Sequence, residues 1–242
     1  MIVGMEEILI KPLYSILMKN NLGNIKECKT LIKHNHVYIN GQIMNDFHYR
    51  VNQDDVIFVD DQQINAHLFV YYLMNKPKGY ICANHDKEYP CVVDFIQNDC
   101  SCIGRLDRDT TGLLLLSNDK SLMKHLLMPQ FHVEKTYLVT TLYPLQNELV
   151  DSFHNGVIID QNIKCEEATL EIIDDYHCQV TLHEGKYHQI KKMFLSCQNQ
   201  VIDLKRISFG GIILDSSLKE GEYRDLNEFE FQILKELLKQ SI

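Results

Sequence analysis

The chain has 242 residues, of which 45% are hydrophobic and 24% are charged, and its formal net charge is −9. This length allows a sizeable core and fits either one large domain or a small domain joined to a larger one. The acidic balance argues against a uniformly basic nucleic-acid coat protein, the apolar runs are too short to span a bilayer, and the N-terminus lacks the pattern of a secretory signal. We expect a soluble, cytoplasmic protein.

The first sixty or so residues predict a small domain. Apolar residues recur at helical spacing over 13–17 and 25–32, with a break at 22–24. Short strands are predicted at 37–39, 42–44 and 56–59, with Asn40-Gly41 as a hairpin turn. The polar stretch 60–65 is the candidate linker. We therefore predict three segments: a small domain over 1–62, a linker over 63–68 and a larger domain over 69–242.

The rest of the chain predicts an α+β domain. Strands are predicted at 69–74, 80–83, 113–117, 135–140, 168–173 and 178–182. Helices are predicted at 121–127, 145–154 and 187–196, and a last helix begins at Asn227, whose side chain can form a capping box with Glu230. Strands and helices do not alternate regularly, which favours a mixed or antiparallel sheet over a doubly wound one.

Positive charge is concentrated in two segments of this acidic chain. Residues 11–33 hold five lysines against one glutamate, and residues 184–206 hold four lysines and one arginine against two acidic residues. An acidic protein with two local basic faces can still bind a polyanion through them.

The segment 104–113, Gly-Arg-Leu-Asp-Arg-Asp-Thr-Thr-Gly-Leu, carries the clearest chemical signal. Such a density of polar groups between apolar runs is unfavourable unless they satisfy one another or a ligand. A solvated, ion-paired loop is one interpretation. A second is the Asp-x-Asp-x-Thr signature of haloacid-dehalogenase-like phosphohydrolases, although Arg105 stands where that site needs an apolar residue and no later acidic pair is evident for magnesium.

A third interpretation accounts for more of the chain. Residues 104–107 resemble the Gly-Arg-Leu-Asp motif of pseudouridine synthases, and further motifs of that family occur in the family's order before and after it. They are the Asn-Lys-Pro-x-Gly-like segment 75–79, the strand 134–139 that contains Tyr137, the basic segment 184–194, and the closing segments 204–211 and 221–226. The subgroup most similar is the RsuA-type ribosomal small-subunit pseudouridine synthases. The N-terminal unit resembles the αL RNA-binding module that precedes these catalytic domains.

This resemblance implies a fold and a reaction. The fold is the pseudouridine synthase fold, a mixed and mostly antiparallel sheet with flanking helices, preceded by the αL-type domain. The reaction is the isomerisation of one uridine in 16S ribosomal RNA, uridine 516, by a monomer acting on ribosomal RNA within a small-subunit assembly intermediate. The alternatives are a synthase that modifies 23S RNA, a non-catalytic RNA-binding protein, and the magnesium-dependent phosphohydrolase.

The resemblance also assigns residue roles. Asp107 is the nucleophile, Lys191 the cation that keeps it ionised, and Tyr137 the aromatic residue that lies against the target uracil. Base flipping is expected. Five further residues are implied in RNA contact: Arg105, Lys76, Lys186, Lys192 and Arg206.

We expect no cofactor and no metal. The isomerisation needs no redox change, and the chain has no Walker-type or Gly-x-Gly-x-x-Gly motif. The eight cysteines form no Cys-x-x-Cys pair, so reduced thiols are expected.

Overall fold

The structure is a computed structural model that describes residues 11–52, 55–65, 69–96, 99–128 and 131–239. The chain divides into two compact units, residues 1–70 and residues 71–242. None of the helices within these described ranges is both long enough and apolar enough to cross a membrane.

The first unit packs two helices on a four-stranded antiparallel sheet. Its elements are α1 (Leu13–Lys19), α2 (Ile25–Lys33), β1 (Val37–Ile39), β2 (Gln42–Ile43), β3 (Ile57–Val59) and β4 (Gln62–Ile64), and the strand order is β2-β1-β3-β4. Asn24 and Glu27 form a capping box that fixes the start of α2. The apolar faces of both helices and of β1 and β3 form one buried core, which includes Leu17, Ile32 and Ile57.

The predicted linker is wrong over 63–64, which belong to the strand Gln62–Ile64. This strand is β4, which pairs with β3 through a tight turn at Asp60, a residue with φ of 52°. An edge strand has one hydrogen-bonded neighbour and a largely solvated face, so its polar sequence carries no burial signal. The first unit extends to residue 70, and residues 66–68 of the predicted linker lie outside the described residues.

The second unit contains a mixed set of elements. In chain order they are β5 (Tyr71–Lys76), a 3-10 helix (Val92–Phe95), β6 (Ser101–Ile103), β7 (Thr111–Ser117), α3 (Lys120–Leu126), β8 (Lys135–Thr141), α4 (Glu148–His154), β9 (Ile158–Ile159), β10 (Ile163–Lys164), β11 (Thr169–Ile172), β12 (His177–Leu182), α5 (Gln189–Ser196), β13 (Val201–Phe209), β14 (Ile212–Ile213), β15 (Tyr223–Asp225) and α6 (Glu228–Lys239).

One large sheet organises this unit. Its strand order is β11-β12-β8-β13-β7-β5-β15, with β6 on β7 and β14 on β13. The pair β13–β7 is parallel and the other described pairs are antiparallel, which confirms the predicted mixed, mostly antiparallel sheet. α4 and α5 bury Phe153 and Phe194 against the β8, β12 and β13 side of the sheet.

Two of the differences from the predicted elements of this unit concern residues 80–83 and β13. Residues 80–83 do not form a strand, because Ile81 makes only an isolated bridge to Cys91. The long strand β13 is not predicted, since its charged residues Asp203, Lys205 and Arg206 interrupt the apolar alternation that marks strands. The capping box between Asn227 and Glu230 is present as predicted.

Gly112 allows β7 and β13 to lie side by side. Its φ is +99°, and a Cβ at this position would meet the carbonyl oxygen of Arg206 at 2.2 Å. We expect Gly112→Ala to lower the free energy of unfolding by about 3 kcal/mol, since backbone strain and overpacking add at one site. Urea unfolding would measure this, with Gly185→Ala as the matched control, since a Cβ at Gly185 meets nothing within 4 Å. Equal stability of the two variants would contradict the close approach.

Candidate active site

Residues 104–110, which we call the aspartate loop, connect β6 to β7 and carry Asp107. Buried groups beneath the loop fix its backbone. Lys76 Nζ donates to the carbonyl oxygens of Pro77 at 3.0 Å, Arg108 at 3.4 Å and Thr110 at 2.9 Å. The backbone N–H of Gly79 donates to the Arg108 carbonyl at 2.7 Å.

The burial of Lys76 corrects its predicted role. Its side chain is fully buried on the interior strand β5, and burial lowers the pKa of its ammonium. A group enclosed in this way, with its donors turned toward loop carbonyls, is inaccessible to an RNA phosphate. Lys76 therefore supports the aspartate loop instead of contacting RNA.

A pair of thiols completes this support. The backbone N–H of Leu106 donates to Cys82 Sγ at 3.3 Å, and a hydrogen bond between the thiols of Cys102 and Cys82 lowers the pKa of Cys82. These contacts hold the residue immediately before Asp107.

Asp107 lies in a cluster of charged side chains. Lys191 Nζ is 3.2 Å from Asp107 Oδ2 and 2.5 Å from Asp109 Oδ1, so one ammonium bridges both carboxylates. His188 Nε2 is 3.5 Å from the other oxygen of Asp107. The side chain of Asp107 is 27% exposed, against 59% for Asp109. Burial alone would raise the pKa of Asp109, but the hydrogen bond and the charge of Lys191 outweigh it and lower that pKa.

The start of α5 brings Lys191 and His188 to the aspartate loop. His188 adopts the left-handed conformation, with φ of 53°, and its ring stacks on Tyr187 at 3.9 Å between centroids. The buried Gln189 holds this turn, because its amide donates to Glu184 at 2.6 Å and accepts from the backbone N–H of Lys186 at 2.8 Å. Gln189 is thus a structural residue.

A cavity of about 580 Å³ opens beside Asp107, a size suited to a small ligand such as one flipped nucleotide. The aspartate loop, β8, β13 and the turn before α5 line it, and they contribute Arg105, Asp107, Tyr137, His188 and Arg206. Tyr137 and Arg206 are directly paired residues of β8 and β13, so their side chains share one face of the sheet. The half-buried Tyr137 also packs against the main core of the unit.

The structure gives the other predicted RNA-contact residues different surroundings. Arg105 is exposed at the mouth of the cavity, and within the described residues its guanidinium has no hydrogen-bond or ion-pair partner. Lys186 forms an ion pair with Glu184, and Lys192 pairs with Asp160 at 2.5 Å. Arg206 is 2% exposed and donates from Nε to the Leu113 carbonyl at 2.7 Å. A phosphate on the RNA surface could not reach it, which corrects that prediction for Arg206.

This geometry defines a class of protein: an enzyme whose central group is a half-buried carboxylate held by a cation beside an aromatic wall. The ammonium of Lys191 occupies the space between Asp107 and Asp109. A haloacid-dehalogenase-like phosphohydrolase would need that space for magnesium. The arrangement instead suits covalent catalysis by the carboxylate on a nucleotide whose base is held in the cavity.

Comparisons with known proteins identify the family. The model of the RNA pseudouridylate synthase family matches residues 70–196, and the S4 domain model matches residues 18–57. The ribosomal small subunit pseudouridine synthase A of Haemophilus influenzae is 37% identical over 209 residues, covering 84% of this chain and 90% of its own length. The Escherichia coli K12 protein of the same name is 36% identical, with 82% and 89% coverage.

Two further relatives agree with these matches. An uncharacterised RNA pseudouridine synthase of Bacillus subtilis is 36% identical, over 91% of this chain and 97% of its own length. A solved structure of a pseudouridylate synthase superposes with a TM-score of 0.66 and 34% identity, over 92% of this chain and 99% of that one. The chain belongs to the RNA pseudouridylate synthase family. It is an RNA pseudouridine synthase with an N-terminal S4 domain, as the sequence motifs predict.

Three residues at the site have no catalytic role assigned by the sequence motifs. His188 contacts Asp107, Asp109 shares Lys191, and Lys135 lines the cavity on β8. Lys135 could have been found from strand alternation, because it lies two residues before Tyr137 and so projects from the same face. The contacts of His188 depend on a left-handed turn that no motif indicated.

Proposed function

We propose that this enzyme converts one uridine of 16S ribosomal RNA, uridine 516, to pseudouridine within a small-subunit assembly intermediate. The observation that carries the chemistry is the Asp107–Lys191 ion pair beside a cavity that Asp107 and Tyr137 line. The choice of the small subunit is supported by relatives named ribosomal small subunit pseudouridine synthase A, which match more than four fifths of this chain.

Asp107 acts as the nucleophile. Its carboxylate attacks C1′ of the ribose, a C1′–O bond forms, and the C1′–N1 bond breaks with its electron pair left on uracil. The detached uracil turns within the cavity, C5 bonds to C1′, and the carboxylate leaves. C5 then loses a proton and N1 gains one, so no external reactant is consumed.

The surrounding side chains provide binding and orientation. Lys191 holds Asp107 in place with a charge-assisted hydrogen bond. The ring of Tyr137 lies against the flipped uracil, and the unpartnered guanidinium of Arg105 occupies the vacated stack or binds a flanking phosphate. Lys186 and Lys192 can bind phosphates only by giving up their present carboxylate partners. The S4 domain adds affinity for the RNA.

Mapping pseudouridine in the cell tests the target. We expect carbodiimide mapping of ribosomal RNA from cells without the gene to lose one small-subunit site, at uridine 516. Restoring the wild-type gene should restore the modification, and the Asp107→Asn gene should not. Loss of a large-subunit site would favour the 23S alternative, and unchanged ribosomal RNA would contradict both. Assays on naked 16S transcript and on partly assembled particles would then identify the substrate form.

A further inference from the structure

We infer that Lys135 is a further catalytic residue, whose ammonium donates hydrogen bonds to the uracil while the base is detached from the ribose. This inference rests on the proposed carboxylate mechanism at Asp107. When the C1′–N1 bond breaks, the electron pair spreads over N1 and the two carbonyl oxygens of uracil. A cation held at that place stabilises the charge as it develops.

The position of Lys135 fits this role. Lys135 and Tyr137 lie two residues apart on β8 and project from the same face into the same cavity. A uracil that lies against Tyr137 is therefore a neighbour of Lys135. Lys135 Nζ donates one hydrogen bond to the Val133 carbonyl oxygen at 2.5 Å, and its two other N–H groups can donate to a ligand.

Two cationic side chains that line the cavity, Lys135 and Arg206, have no counterion among the described residues. Lys135 Nζ lies 5.9 Å and the Arg206 guanidinium 5.3 Å from the centre of the same Phe209 ring. Within the described part of the chain, neither side chain has a carboxylate at ion-pair distance, and Arg206 Nη2 is buried with no hydrogen-bond partner. Burial, and after it the charge of Arg206, lowers the pKa of Lys135 to about 8, while the charge of Glu166 opposes that shift.

Such an arrangement is unfavourable in the free enzyme and favourable with a negative ligand. Two like charges in a partly buried site repel each other, and a buried donor without an acceptor loses the free energy of its hydration. A negative charge beside Lys135 offsets the repulsion between the two cations. The uracil carbonyl oxygens become this oxyanion only after the C1′–N1 bond breaks, so the stabilisation favours the reacting state over the bound substrate.

A phosphate of the RNA backbone is the competing ligand for these cations. It is disfavoured because Lys135 is half-buried and lies two strand residues from Tyr137, whereas Arg105 stands exposed at the mouth of the cavity. A phosphate contact would also act on affinity and on its salt dependence, not on the rate at saturation. The two ligands therefore predict different measurements.

The test compares Lys135→Met with wild type in single-turnover assays at saturating enzyme, on the RNA that wild type modifies. We expect the rate of Lys135→Met to be about 10²- to 10³-fold lower than that of wild type, which is the effect of removing one hydrogen-bond donor to an oxyanion. The Kd for RNA should stay within about threefold of wild type, and the dependence of that Kd on salt concentration should not change. Lys135→Arg keeps the charge and should recover at least about tenfold of the lost rate. Lys164→Met removes one exposed lysine outside the cavity and should leave the rate unchanged.

Several outcomes would overturn the inference. They are an unchanged rate for Lys135→Met, a weaker Kd with a normal rate at saturation, or a rate loss that Lys135→Arg does not relieve in protein of wild-type melting temperature. If Lys135→Met is unfolded, Lys135→Gln replaces it in the same comparison. Inactivity of wild type on 16S RNA would count against the proposed target alone, and the variants would then be compared on the RNA that wild type modifies.

Discussion

Asp107→Asn is expected to lower single-turnover pseudouridine formation by at least about 10⁴-fold, because the amide cannot form the covalent bond to C1′. The substitution preserves the size of the side chain, and the aspartate loop keeps the hydrogen bonds that Lys76 donates to its carbonyls. RNA affinity should therefore stay within a few-fold of wild type. Tritium release from 5-tritiated uridine in the RNA measures the rate, and filter binding measures the affinity.

Asp109→Asn is the matched control for this variant. Asp109 carries the same charge two residues away and binds the same ammonium, but it is more than twice as exposed as Asp107. Because exposed ion pairs contribute little, we expect a loss of about fivefold or less. If Asp109→Asn abolished the reaction and Asp107→Asn did not, the nucleophile would have to be reassigned.

The parts of this site that could be predicted from sequence are those encoded locally. The segments 104–113 and 184–194 each place their polar groups within one turn or one helix start, so their motifs are visible without the fold. The contact of Asp107 with Lys191 joins residues 84 positions apart, and no periodicity predicts it. Only the resemblance to the family predicts that contact.

The predictions that failed concern buried cations. Lysine and arginine are almost always exposed, so the sequence predicts that Lys76 and Arg206 contact phosphates. Both lie on interior strands of the large sheet, and a strand's place in a sheet is set by pairing between distant segments. The parallel pairing of β13 with β7 puts Arg206 beside Gly112. The charged residues of β13 also interrupt its apolar alternation, so the sequence does not predict this strand.

Lys191→Met is expected to lower the single-turnover rate by about 10²- to 10³-fold, the effect of removing one well-placed charged donor. The variant leaves Asp107 and Asp109 facing each other without the ammonium that now lies 3.2 Å and 2.5 Å from them. Repulsion between the two carboxylates then favours a turn of the loop away from C1′. Lys191→Arg retains the charge and should recover part of the rate.

Lys192→Met gives the sharpest control, since it removes the same charge from the next residue of α5. Lys192 pairs with Asp160 at 2.5 Å and lies 5.1 Å from the centre of the Tyr187 ring, so its ammonium has a different carboxylate partner from that of Lys191. If α5 served only as a basic surface for RNA, both variants would weaken RNA binding alike and neither would slow the saturated reaction. We expect only Lys191→Met to slow the reaction at saturating enzyme, because only Lys191 contacts the carboxylate that bonds to C1′. A tenfold or smaller difference between the two rates would contradict this assignment.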